Sequence, residues 1–163
     1  MSIEAAKEHL KEFNAEDRIR LFEVSSATVS LAALALGVQA QRIAKTLAFR
    51  DEAGALLIVT AGDAKIDNAK FKAAFSMKAR MLDPQETLER VGHAVGGVCP
   101  FGVKPDCKIF LVESLRRFET VFPAVGSANS AIELNLVELE QFSKAQAWVD
   151  VCKTVEDREE VHE

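Results

Sequence analysis

The chain has 163 residues, 48% of them hydrophobic, and a formal net charge of −5. This suits one domain that buries about two-thirds of its unfolded surface, while the acidic balance argues against broad coating of a nucleic-acid backbone and leaves room only for a local basic mouth. Three cysteines without CxxC spacing (Cys99, Cys107, Cys152) give no sign of a disulfide framework or zinc site, and neither a long apolar run nor a signal sequence is present, so a soluble, cytoplasmic protein without membrane contact is expected.

The opening Ser2 to Phe13 carries Ile3, Ala6, Leu10 and Phe13 at helical spacing, which predicts a surface helix. A second helix is expected over Thr28 to Leu36, with Ser26 or Thr28 as the cap and Gly37 as the left-handed end. Arg42 to Phe49 and Ala55 to Thr60 read as two strands joined by the turn Asp51 to Gly54. Asp67 opens a helix through about Phe75, and Asp83-Pro84-Gln85-Glu86 combines a cap, a first-turn proline and a capping-box acid for another that ends near Gly92.

The Gly/Pro-rich stretch Gly92 to Pro105 breaks the pattern, after which Lys108 to Val112, Thr120 to Phe122 and Ala131 to Leu136 read as strands. Asn135 with Glu138 caps a late helix through Phe142. Residues 1 to 152 form one domain in this reading, and 153 to 163, mostly charged, a disordered tail. The intermixed elements lack regular βαβ alternation, so the fold expected is α/β of the α+β type: a curled, mixed, mostly antiparallel sheet flanked by helices.

Two features bear on chemistry. Strand alternation puts Lys45 on one face with Ile43, Leu47 and Phe49. An ammonium among large apolar side chains either snorkels at an edge or lines a pocket, because unpaired burial is costly. A solvated strand lysine is the plain alternative. The second feature is Gly96-Gly97-Val98-Cys99-Pro100-Phe101-Gly102, whose glycines let a backbone approach a ligand and turn N–H groups toward an oxyanion. It fits neither the Rossmann fingerprint nor the P-loop, and most such stretches are only turns.

Taken together the pieces resemble the YbaK/prolyl-tRNA-synthetase-associated editing family. The similarity lies in Thr28-Val29 through Ala32-Ala33, Leu36-Gly37-Val38, Ile43 to Leu47, the GxxxP-like loop Gly96 to Pro100, and Ala124-Val125-Gly126-Ser127 followed by Ala131 to Leu134. It runs in order from about Phe22 to Phe142. The resemblance implies a single-domain fold that is free-standing or inserted in prolyl-tRNA synthetase. It also implies an aminoacyl-tRNA deacylase working in trans on mischarged tRNA, most simply proline tRNA carrying alanine, cysteine, serine or 2-aminobutyrate. Lys45 matches the family's hallmark functional residue. Cys99 stands where serine is frequent, and Ser127 to Ser130 lacks both the arginine-glycine pattern of cysteinyl-specific members and the histidine of some alanine-specific ones. The amino acid removed is therefore left open.

On this basis Lys45 with Gly96, Gly97, Val98, Cys99 and Pro100 are the expected catalytic set, and Thr28, Thr46, Gly102, Gly126 and Ser127 the expected substrate contacts. Thr28, Thr46, Val98 and Ser127 each also have an ordinary structural role available. Arg42, Arg50, Lys65, Lys70, Lys72, Lys78, Arg80 and Lys104 are candidates for the mouth that receives the acceptor stem, or plain surface. The expected partners are mischarged tRNA and prolyl-tRNA synthetase. No cofactor or metal is expected, since His9, His93 and His162 are dispersed. Two alternatives stand beside this reading: a cysteine hydrolase using Cys99 with His93, and a non-catalytic tRNA- or synthetase-binding module of the same fold.

Overall fold

Helix α1 (Ser2–Lys11) buries Ala6 and Leu10, one turn apart, and leaves its charged positions to solvent. A two-residue strand β1 (Arg20–Leu21) follows, then α2 (Val29–Leu36), where the Thr28 hydroxyl accepts from Leu31 N–H at one end and Gly37 closes the other at φ 69°. The hairpin is β2 (Ile43–Arg50) and β3 (Ala55–Ala61), with seven register pairs from Ala44↔Ala61 to Arg50↔Ala55. After β4 (Lys65–Ile66), Asp67 caps α3 (Asn68–Phe75). Helix α4 (Pro84–Val91) starts in a complete Asp83/Glu86 capping box with proline at its head.

The second half supplies β5 (Cys107–Val112), β6 (Thr120–Pro123), β7 (Ser130–Ala131) and β8 (Leu134–Asn135). An Asn135/Glu138 capping box then starts α5 (Leu136–Ser143), and β9 (Ala147–Val149) and β10 (Cys152–Lys153) complete the order. The computed structural model describes residues 2–154; most of the expected tail lies outside the described residues, while Lys153 pairs with Lys65 and Thr154 is buried.

The main sheet runs β8-β6-β2-β3-β5-β9. Every residue of β3 is buried, as its unbroken apolar run requires of a strand covered on both faces. The sheet is mixed, as expected, but its antiparallel share is smaller than the hairpins suggest: β2–β6, β3–β5 and β5–β9 are all parallel. The expected strand Ala131 to Leu136 is two short pieces in different sheets, because β7 pairs with β1 while β8 pairs with β6, and Leu136 already belongs to α5.

Candidate functional site

β2 pairs with β6 only at Ile43↔Phe122 and Ala44↔Pro123. Farther along the same edge it meets the segment before α4, where Leu82 N–H donates to Ala48 O, Arg50 N–H donates to Arg80 O, and Phe49 bridges Met81. No strand of the sheet covers β2 between these points, and a cavity of about 250 Å³ opens there. Its walls include Lys45, Thr46, Thr28, Gly96 and Val98, together with Ser26, Met81, Val95, Phe122 and Ser130. Lys45 is the single charged side chain among the residues that line it.

In a regular antiparallel ladder the peptide groups of alternate residues turn to the same edge. Ala48 O and Arg50 N–H face outward, so the peptide of Thr46, two residues back, turns toward the cavity. Lys45 opposes Thr60 across the ladder, and its half-buried Nζ donates to the Gly62 carbonyl at 3.4 Å. The lysine thus snorkels along a strand edge on the cavity wall, its part-buried ammonium anchored at the Gly62 carbonyl. Ser26 Oγ and Thr46 Oγ1, both on lining residues, are buried and have no hydrogen-bond partner among the described residues.

The glycine loop is held by close backbone packing. A Cβ on Gly97 would stand 2.7 Å from Ser127 N and 2.8 Å from the Gly126 carbonyl carbon, so only glycine lets this loop lie against the Gly126–Ser127 turn. Gly96 faces Ala27 and the cavity. Gly97, Cys99, Pro100, Gly126 and Ser127 form the layer behind, outside the cavity lining. The Ser127 hydroxyl bonds Asn129 and Ser130, and Ser130 reaches the cavity wall. Gly102 is elsewhere: its N–H donates to His9 Nδ1 at 2.9 Å and its Cα abuts Ala5 and Ala6 of α1.

The thiol-based alternative fails on geometry. Cys99 is fully buried with Sγ 3.5 Å from both His93 Nε2 and the Phe101 carbonyl, and burial pushes the thiol up to about 12. His93 Nε2 donates to Phe101 O at 2.6 Å, and burial pulls the imidazole below its ordinary range, toward the neutral form. Neither residue touches the cavity. Among the described residues no three His, Cys, Asp or Glu side chains gather to hold a metal, and no helix is long and apolar enough to cross a membrane.

Several of the basic candidates have local partners: Arg42 with Thr120 and Glu133, Arg50 with Glu86, Lys70 with Asp150, Lys104 with the Glu89 carbonyl. Ser26, Met81, Val95 and Ser130 were not anticipated as cavity residues. Met81 and Val95 are 60% and 63% exposed, and no local motif marks them, because only the splay of β2 from β6 brings them there.

Comparison with known proteins places the chain in a family. A family model described as an aminoacyl-tRNA editing domain matches residues 23–142. The uncharacterized protein YwhH of Bacillus subtilis is 54% identical, covering 94% of this chain and 98% of its own length. EbsC of Enterococcus faecalis, named as a candidate Cys-tRNA(Pro)/Cys-tRNA(Cys) deacylase, is 29% identical over 61% of this chain and 62% of its own. A crystal structure of a candidate trans-editing enzyme for prolyl-tRNA synthetase superposes with a TM-score of 0.83 at 27% identity, covering 93% of this chain and 97% of that one. The cavity beside Lys45, the glycine loop and the strand order lie within a chain that belongs to the aminoacyl-tRNA editing domain family of the YbaK type.

Proposed function

We propose that this protein is an aminoacyl-tRNA deacylase that removes a small, wrongly attached amino acid from a tRNA, with proline tRNA carrying alanine, cysteine, serine or 2-aminobutyrate as the first substrates to test. The observation that carries this reading is that Lys45 is the one charged residue among those lining a cavity that Gly96 of the glycine loop also borders.

An aminoacyl ester is already activated, so its hydrolysis needs an oriented attacking oxygen and stabilised charge on the carbonyl oxygen, not a protein nucleophile. Lys45 supplies a compact positive charge for the terminal phosphate or ester region. The Thr46 peptide N–H and those of Gly96 and Val98, the two residues of the glycine loop on the cavity wall, are the donors that orient the carbonyl or the attacking water or ribose 2′-hydroxyl. Val98 and Thr28 bound the space for the side chain. A cavity of about 250 Å³ has room for a small amino acid, and discrimination among near neighbours by the walls is modest, one methylene being separated by only about 1–3 kcal/mol. The unpaired hydroxyls of Ser26 and Thr46 add hydrogen-bonding capacity that an α-amino, hydroxyl or thiol group of the substrate can use.

Purified protein incubated with proline tRNA charged with alanine, cysteine, serine, 2-aminobutyrate or proline tests this. Release of at least one small non-cognate amino acid, with prolyl-tRNA spared, is the expected result. Stability of every mischarged tRNA, alongside ordinary tRNA binding, would favour a non-catalytic module.

A further inference from the structure

A second, polar cleft of about 330 Å³ is bounded by Arg18, Arg20, Thr120, Glu133, Asn135 and Glu138. It adjoins the cavity through Phe122, which lines the cavity while the guanidinium groups of Arg42 and Arg20 sit 5.0 Å and 5.8 Å from its ring centroid. Arg20 on β1 pairs with Ala131, itself a cavity residue.

The charges here are unevenly matched. Lys70 with Asp150, Arg117 with Asp63 and Lys144 with Glu12 each join one cation to one acid. Two guanidiniums, Arg18 and Arg20, and two carboxylates, Glu133 and Glu138, line the cleft itself; Arg42, which shares Glu133 from outside that lining, brings the cluster to three cations against two acids on a chain of net charge −5. Arg18 is well held, with two bonds to Glu138 at 2.5 Å and 3.1 Å and a third to the Glu133 carbonyl at 2.7 Å. Arg20 and Arg42 instead share the Glu133 carboxylate at 3.3 Å and 3.4 Å, while its best bond, 2.6 Å, comes from the Thr120 hydroxyl. Arg42 keeps Thr120 as a further partner, and the Arg20 side chain is 51% exposed. Both arginines lie against the Phe122 ring, and Arg20, exposed and held by a single 3.3 Å contact, is the one whose fork is open to a phosphate.

We propose that this cleft binds a backbone phosphodiester of the tRNA acceptor strand while the aminoacylated end occupies the cavity across Phe122. Arg20, on the cleft wall, is the phosphate ligand, Arg42 adds positive charge through the Glu133 carboxylate that both share, and Glu133 is the group that holds Arg20 in the absence of RNA. The identity of the RNA rests on the deacylase reading above; the anion site does not.

The test is binding of uncharged proline tRNA, across a salt series, to the wild-type protein and the Arg20→Ala and Glu133→Gln variants. Arg20→Ala is expected to weaken binding about fivefold, the equivalent of ~1 kcal/mol, and to lower the slope of log affinity against log salt by about 1. Glu133→Gln keeps an acceptor for Thr120 but removes the competing charge, so it is expected to tighten binding. A fold defect cannot mimic that gain. If Glu133→Gln binds no tighter than wild type and Arg20→Ala leaves the salt slope unchanged, the cleft is a structural ion-pair cluster and the proposal falls. A wild-type protein that shows the salt-dependent, Arg20-dependent binding but deacylates nothing would sink the proposed activity and leave this site standing.

Discussion

Lys45 Nζ donates to the carbonyl of Gly62 at 3.4 Å, and position 62 has no room for any side chain. A Cβ there would lie 2.1 Å from the Ala40 carbonyl oxygen and 2.8 Å from Val29 Cγ1. The acceptor that parks the lysine is thereby locked to the turn before β2 and to the first residue of α2, which also lines the cavity. Gly62→Ala is expected to cost about 1–3 kcal/mol by overpacking, read in urea unfolding. Its deacylation rate should fall further than the population of folded protein accounts for; a rate that tracks only the folded fraction would separate Gly62 from Lys45.

Gly97 is the corresponding contact on the other side of the site. Gly97→Ala drives a methyl into the Gly126–Ser127 backbone and is expected to destabilise by about 1–3 kcal/mol. Val95→Ala, at a position 63% exposed in the same stretch, should stay within about 0.5 kcal/mol of wild type. Equal midpoints for the two variants in thermal melts would contradict this packing.

With its thiol pushed up to about 12 by burial, Cys99 stays in the neutral thiol form at pH 7. Iodoacetamide treatment of the native protein is expected to leave Cys99 unmodified by mass spectrometry and deacylation intact. Cys99→Ala should keep the reaction while losing about 1–2 kcal/mol of stability as a small cavity opens. Loss of turnover in a folded Cys99→Ala protein would reinstate the thiol.

His93 gives a pH dependence with a defined sign. Its folded-state pKa lies below the unfolded value because burial disfavours the imidazolium, the Phe101 carbonyl opposing only in part. Above about pH 6.5 the residue is neutral in both states and contributes nothing. As pH falls below that, the unfolded chain takes up a proton that the folded one resists, and stability declines until the folded pKa is reached. Urea midpoints at pH 7.5 and 5.5 should therefore drop more for wild type than for His93→Gln. Parallel declines would place the titrating group elsewhere.

Much of the scaffold was legible because its signals are local. Thr28 and Gly37 bracket α2, and the acids three residues past Asp83 and Asn135 complete capping boxes, each a contact within one turn of helix. The β2–β3 hairpin likewise needs only a turn and two apolar runs. What escaped depends on distant pairing. β4 and β10 are two residues each and exist only as partners, and β9 is fixed by β5. The parallel neighbours of β2 and β3 come from crossovers that periodicity does not encode. At the site, the same distinction holds. Lys45, Thr46 and Gly96 stand out as residue types, but Ser26, Met81 and Ser130 reach the cavity through the splay of β2 from β6. Gly102, part of the same glycine-rich run, instead serves the packing of α1.

The most direct measurement is single-turnover hydrolysis of a mischarged proline tRNA by wild-type and Lys45→Ala proteins of matched thermal stability, at saturating enzyme so that weaker binding does not enter. Removal of the ammonium is expected to slow ester cleavage about a hundredfold, the equivalent of ~3 kcal/mol of barrier. Cleavage by Lys45→Ala at the wild-type rate would contradict a site built around that charge.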